Sequence, residues 1–222
     1  MKLLLTSAGI RNKTIKSALE ELIGKELSES TVCYIPTASI GDVTPHDWFV
    51  QEIKKAYDVG WREFNLLELN GLPKDIIHER VQKSDVIYAE GGNLYYLARS
   101  IIDNDLGDIF QDIFENKVYV GVSAGSMIFS KNVSPKSAKI FDEESDLNAK
   151  NAESPFNFFD WYLKPHLYSK EFPKRTDAWI KAIAKRADFP IYAIDDETAI
   201  KVIDSEIEVI GEGKWQVFNK ST

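Results

Sequence analysis

Short β-rich runs alternate with amphipathic helical stretches through the first 130 residues, and few architectures accept that order. Residues 3–6, 31–35, 64–67, 86–88 and 118–122 read as strands. Between them, residues 13–23, 45–59, 74–81, 94–102 and 106–115 carry helical spacing of apolar positions. Neighbouring parallel strands need a long crossover, most simply a helix, so the pattern predicts βαβ units. The expected fold is α/β, with a doubly wound, mostly parallel sheet. Beyond residue 130 the reading changes. Residues 130–165 show no clean period and hold Asp142-Glu143-Glu144, Ser154-Pro155 and the aromatic run 156–162. So long a stretch without regular structure is usually a functional loop. A helix is expected over 178–186 and a strand over 191–194. Short strands at 199–203, 206–210 and 215–218 then predict a C-terminal antiparallel meander. No repeat or linker-like shift divides the chain, so residues 1–222 are expected to form one domain.

Composition narrows the function classes. The chain is 44% hydrophobic and 28% charged, which suits a globular domain with a full core and rules out a disordered chain. Its net charge of −8 repels phosphate backbones and anionic bilayers, so neither nucleic acid nor membrane is an expected partner. With one cysteine, Cys33, no intramolecular disulfide can form, and Cys33 reads as a small core residue. His46, His78 and His166 are too scattered for a zinc motif. No metal and no organic cofactor is expected. The apolar run 1–6 is too short for a signal peptide or a span, and a cytoplasmic location is expected.

The sharpest chemical signal is Gly121-Val122-Ser123-Ala124-Gly125, a G-x-S-x-G directly after an apolar strand and before a helix-compatible segment. That is the context of a nucleophile elbow. A strand turning sharply into a helix forces the central serine into strained backbone, and the flanking glycines let neighbouring backbone pass close. The hydroxyl of Ser123 then stands at the carboxyl edge of the sheet, near a helix N-terminus that favours developing negative charge.

A serine hydroxyl needs a base, and His166, after Pro165, is the histidine downstream of Ser123. His46 and His78 read as surface residues. A third group should hold the second imidazole nitrogen. Asp142, Glu143 and Glu144 lie between Ser123 and His166 as candidates for it, with Asp160 next in line. Acyl transfer also needs an oxyanion hole. The Ala124 amide follows the nucleophile, and Glu90-Gly91-Gly92-Asn93 ends a strand where Gly91 and Gly92 leave amides unobstructed.

With these residues assembled, the chain resembles the serine-peptidase family of aspartyl dipeptidase (peptidase E) and cyanophycinase. The resemblance rests on residues 4–9, on Tyr34-Ile35-Pro36-Thr37-Ala38, on Glu90-Gly91-Gly92-Asn93 and on Gly121-Val122-Ser123-Ala124-Gly125-Ser126. Pro165-His166 and Ile194-Asp195-Asp196-Glu197-Thr198-Ala199 complete it. It implies a flavodoxin-like sheet similar to class I glutamine amidotransferases, with Ser123 as nucleophile, His166 as base, and Asp142, Glu143 or Glu144 as acid. Leu167 departs from the aromatic residue the family often has there. The resemblance also implies hydrolysis of small peptides, among them dipeptides with an N-terminal aspartate. Arg175, in a cluster with Lys164, Lys170 and Lys174, is the candidate grip for that side chain, and Asn93 a second substrate-binding candidate. A monomer or homodimer is expected. Two other readings remain open: an esterase of the α/β-hydrolase type, which shares G-x-S-x-G, and a non-catalytic binding module on an amidotransferase-like fold.

Overall fold

A computed structural model describes residues 1–143 and 145–220. In chain order its strands are β1 (Lys2–Thr6), β2 (Thr31–Ile35), β3 (Glu63–Leu66), β4 (Val86–Ala89), β5 (Val118–Val122), β6 (Tyr162–Lys164), β7 (Ile191–Ile194), β8 (Thr198–Ile203), β9 (Glu206–Gly211) and β10 (Trp215–Phe218). The helices are α1 (Lys13–Ile23), α2 (Thr37–Ile40), α3 (Asp47–Tyr57), α4 (Lys74–Gln82), α5 (Leu94–Asp103), α6 (Gly107–Asn116), α7 (Ala124–Met127), α8 (Pro135–Ile140) and α9 (Asp177–Ala184).

Among the described residues the main sheet runs β3-β2-β4-β5-β1-β8-β9. Its first five strands are parallel, and β8 and β9 extend it antiparallel beside β1. The edge strands β3 and β9 are largely exposed, whereas the inner strands β1, β2, β4 and β5 are nearly all apolar because both faces are covered. Their side chains alternate between two cores. Leu3, Leu5, Cys33, Ile35, Ile87 and Tyr119 pack on one face, and Leu4, Val32, Tyr34, Tyr88, Val118 and Val120 on the other. Each fully buried aliphatic side chain stabilises the fold by roughly 1.5–3 kcal/mol. Cys33 belongs to this core, and burial pushes its thiol up to about 12.

The expected meander forms only in part. β8 and β9 make a hairpin, but β10 leaves it and pairs antiparallel with β7, which pairs parallel with β6 in a second sheet. Alternation alone does not show which sheet a short strand joins. Residues 130–165 are also more ordered than their lack of period suggests. They hold α8, a 3-10 turn at Leu147–Asn151, and β6. Trp161 and Tyr162 of the aromatic run are buried, and Phe156 and the more exposed Phe158 each lie 5.0 Å from Phe114 between ring centres. Ring packing in place of a repeating pattern explains why no period was visible. Among the described residues no helix is long and apolar enough to cross a membrane.

Candidate active site

The order of the sheet puts the ends of β4, β5 and β1 side by side, and the candidate residues lie on the turns just beyond them. Ser123 follows β5 at φ 46°, ψ −107°, a backbone region costly for a residue with a side chain. Two glycines make this turn buildable. A Cβ on Gly121 would lie 2.6 Å from Gly125 O, and one on Gly125 would lie 2.2 Å from Ala89 O. The Ser123 amide donates to Thr6 O at 3.1 Å, and the Ser126 hydroxyl donates to the same oxygen at 2.9 Å. The elbow is therefore fastened to the end of β1.

His166 is fastened to the next residue of that strand end. Its backbone N–H donates to Ser7 Oγ at 2.8 Å, so Ser123 and His166 flank the consecutive pair Thr6–Ser7. The ring stacks on Phe172, with 4.5 Å between centres. Its Nδ1 lies 2.7 Å from Oδ1 of Asp196, which also accepts the Ser7 hydroxyl at 2.8 Å. An ionised carboxylate can only accept, so the proton sits on Nδ1 and Nε2 keeps its lone pair. Burial lowers the His166 pKa below its ordinary value, as do the charges of Arg175 and Lys164, and together they outweigh the opposing pull of Asp196. Burial works to raise the Asp196 carboxyl, but hydrogen bonds from His166, Ser169 and Ser7 and the charge of His166 hold it well below the usual carboxylate range. The imidazole is thus neutral near pH 7 and able to take a proton.

The acid expected from the sequence lies elsewhere. Asp142 is exposed and held by Arg186 through contacts of 2.9 and 3.1 Å, which lower its pKa. Glu143 accepts Lys164 Nζ at 2.6 Å and the Tyr95 hydroxyl at 2.8 Å. Asp160 pairs with Lys131, and Glu144 lies outside the described residues. The carboxylate that meets His166, Asp196, follows the histidine in the chain, whereas the expected order is serine, acid, histidine. One signal pointed to Asp196. It sits two residues beyond a strand end, in Ile194-Asp195-Asp196-Glu197, where a side chain can reach the site. Nothing in the sequence singles out Ser7.

Of the expected oxyanion donors, Gly91 N–H is already taken by Glu90 Oε1 at 2.8 Å. Gly92 N–H and Ala124 N–H, the latter opening α7, are the amides left for that role. Gly91 still closes on Ser123: a Cβ there would lie 3.1 Å from Ser123 Cβ. Asn93 is engaged at both ends of its amide, capping α5 through Tyr96 N and donating to Asp146 Oδ2 at 2.6 Å. Arg175 is half-buried beside the histidine. Its guanidinium donates to Pro165 O at 3.0 Å and lies 4.0 Å from the Phe172 ring centre. Among the described residues no carboxylate forms an ion pair with it.

Comparisons with known proteins show the family. The profile of peptidase family S51 matches residues 3–210. The chain belongs to peptidase family S51. It is accordingly a serine peptidase, similar in kind to dipeptidase E. Among curated relatives, an uncharacterized peptidase of Listeria monocytogenes is 29% identical over 82% of this chain and 86% of its own length. A Drosophila melanogaster protein named as a probable alpha-aspartyl dipeptidase is 22% identical over 91% of this chain and 81% of its own. Among solved structures, a Listeria monocytogenes protein named for peptidase E matches with a TM-score of 0.71 at 24% identity, covering 96% of this chain and 98% of the other. At that identity the structural likeness supports the fold.

Proposed function

We propose that this S51 peptidase hydrolyses small peptides, dipeptides with an N-terminal aspartate in particular, through a Ser123–His166–Asp196 triad. The observation that carries the reading is the 2.7 Å contact of His166 Nδ1 with Asp196, beside a serine in strained elbow geometry. In the first step Ser123 Oγ attacks the peptide carbonyl as His166 Nε2 takes its proton. The imidazolium formed is stabilised by Asp196. Gly92 and Ala124 amides receive the oxyanion. The tetrahedral adduct then collapses, the leaving amine takes the proton from His166, and an acyl-enzyme remains. Water, activated by the same histidine, releases the acid product and frees the serine.

Arg175 supports the acidic specificity, since a half-buried guanidinium without a carboxylate partner is suited to receive one from the substrate. Asn93 acts by fixing the loop between β4 and α5 rather than by touching substrate. A dipeptide library assayed with wild type and Ser123→Ala tests the reading. Turnover of Asp-Xaa dipeptides that falls by about 10⁴-fold or more in Ser123→Ala supports it. Retention of a tenth of the activity rejects Ser123 as nucleophile. Faster cleavage of p-nitrophenyl esters than of any dipeptide would favour the esterase reading instead.

A further inference from the structure

Glu90 opens the turn after β4, its side chain has no part in the steps above, and it is almost fully buried at 2% exposure. A carboxylate in that position is expensive unless its oxygens are used. Both are used. Oε2 accepts the Tyr34 hydroxyl from β2 at 2.6 Å, and Oε1 accepts the Gly91 N–H at 2.8 Å. The far side of the same glycine is held as well, because the Ser39 hydroxyl donates to Gly91 O at 2.7 Å. That carbonyl shares its planar peptide unit with the Gly92 N–H, which points the opposite way. Gripping Gly91 at N–H and C=O therefore fixes the direction of the Gly92 N–H. The clamped unit lies against the nucleophile, with the Cβ position of Gly91 3.8 Å from Ser123 Oγ.

We propose that Glu90 is a positioning residue: it acts through Gly91 to hold the oxyanion-binding Gly92 amide in place beside Ser123. The inference rests on Ser123 being the nucleophile and adds a residue that the triad does not include.

The clamp depends on charge. An ionised carboxylate accepts from both donors, and such bonds are stronger than neutral ones. A protonated Glu90 must place its own hydrogen, so one of the two contacts weakens. Burial raises its carboxyl to about 7, against the hydrogen bonds from Tyr34 and Gly91, which lower it. The other groups acting on it are Glu52 on α3, which raises it, and Arg11 after β1, which lowers it. Tyr88, on β4 itself, also feels the Glu90 charge. Arg11 and Glu52 are paired at 3.4 Å, so their effects largely offset each other.

Labelling of Ser123 by a fluorophosphonate, followed against pH on the intact protein, reads this directly, because the phosphoryl oxygen of the adduct occupies the oxyanion hole. Wild type is expected to show two inflections in labelling rate, a lower one from His166, depressed from the ordinary imidazole value, and one near 7 from Glu90. Glu90→Gln keeps the shape and an acceptor for Gly91 but has no charge. It should label about 10–100-fold more slowly at pH 8, short of the 10²–10³-fold for losing a donor outright, and should lack the upper inflection. A wild-type rate at pH 8, or an upper inflection that persists in Glu90→Gln, overturns the proposal. Should Glu90→Gln not fold, Tyr34→Phe replaces it: loss of the hydroxyl should move the upper inflection to higher pH, and an unmoved inflection overturns the proposal. Failure of wild type to label at Ser123 rejects the nucleophile and this inference together. A labelled wild type with an unaffected variant rejects this inference alone.

Discussion

Asp196 Oδ1 lies 2.7 Å from His166 Nδ1, and the Ser7 hydroxyl ties both residues to the end of β1. A histidine on a loop, itself at φ 62°, has little to hold its ring in one orientation unless its neighbours do so. Here three contacts do: the carboxylate on Nδ1, the serine on the backbone amide, and the face of Phe172. The consequences can be tested separately.

Asp196→Asn keeps the shape but cannot stabilise the imidazolium, and its amide NH2 favours the wrong tautomer. A fall in kcat of about 10²–10⁴-fold is expected, with the melting temperature as a folding control. Asp142→Asn breaks only an exposed ion pair with Arg186 and should keep nearly normal kcat, within about ±0.5 kcal/mol in stability. The reverse ranking of the two variants would return the acid to Asp142.

The two partners also predict a pH dependence with a definite sign. The His166 pKa lies below its ordinary value, so the neutral, active imidazole persists to lower pH than in an isolated histidine. Because Asp196 opposes that lowering, Asp196→Asn should move the midpoint further down, as read by proton NMR of the His166 ring. The Asp196 carboxyl is depressed in the folded state, so the unfolded chain binds more protons as the pH falls through the carboxylate range. Wild type should therefore lose its stability advantage over Asp196→Asn as pH drops from about 5 toward 2. An advantage that grows on acidification would contradict the assignment.

Glu143, one of the sequence's alternatives for the acid, has a structural role of its own. It neutralises Lys164, whose side chain is 2% exposed and whose ammonium sits 4.5 Å from the Phe141 ring centre. Burial pushes that amine down to about 8 even with Glu143 present. Glu143→Gln removes the partner, so folding must then expel a proton from Lys164 or bury a lone charge. A loss of about 2–4 kcal/mol at pH 6 is expected, shrinking toward pH 9 as the unfolded-state cost of deprotonation falls. Adding Lys164→Met should recover much of the loss, since it removes the orphaned charge. Chemical denaturation at the two pH values measures both effects.

The parts of the molecule visible in the sequence are those set by local pattern. The five parallel strands alternate with helices because each crossover must span the sheet, and the elbow shows because Gly121 and Gly125 are required where a Cβ would strike backbone. The parts that were hidden depend on distant pairing. Asp196 reaches His166 because β7 runs beside β6, bringing the segments after both strands together. That pairing joins residues about thirty apart, with no periodic signal. β10 was misplaced for the same reason, since its partner β7 precedes it by two intervening strands. The run Asp142-Glu143-Glu144 misled because charge identity says nothing about which cation it meets, and here Arg186 and Lys164 claim the first two.

Substrate choice gives the last test, through Arg175. The guanidinium is half-buried, and burial lowers its pKa first, with Glu143 and Asp196 acting the other way through space. Among the described residues it holds only a backbone carbonyl and an aromatic face, so it can turn toward a carboxylate without breaking an ion pair to any of them. If it grips the N-terminal aspartate side chain, Arg175→Gln should lose about 1.5–3 kcal/mol of charge-assisted binding, or roughly 10–150-fold in kcat/KM for Asp-Xaa dipeptides. Arg175→Lys should recover part of it, because an ammonium keeps the charge but not the two-pronged geometry. Ala-Xaa dipeptides supply the control: they have no side-chain carboxylate, so their kcat/KM should change little. An equal loss on both substrates would mean that Arg175 acts by holding Pro165, and through it His166, rather than by selecting the substrate. A loss confined to Asp-Xaa, carried mainly by KM, places the cation at the substrate, because binding made equally in ground and transition states alters KM and leaves kcat alone.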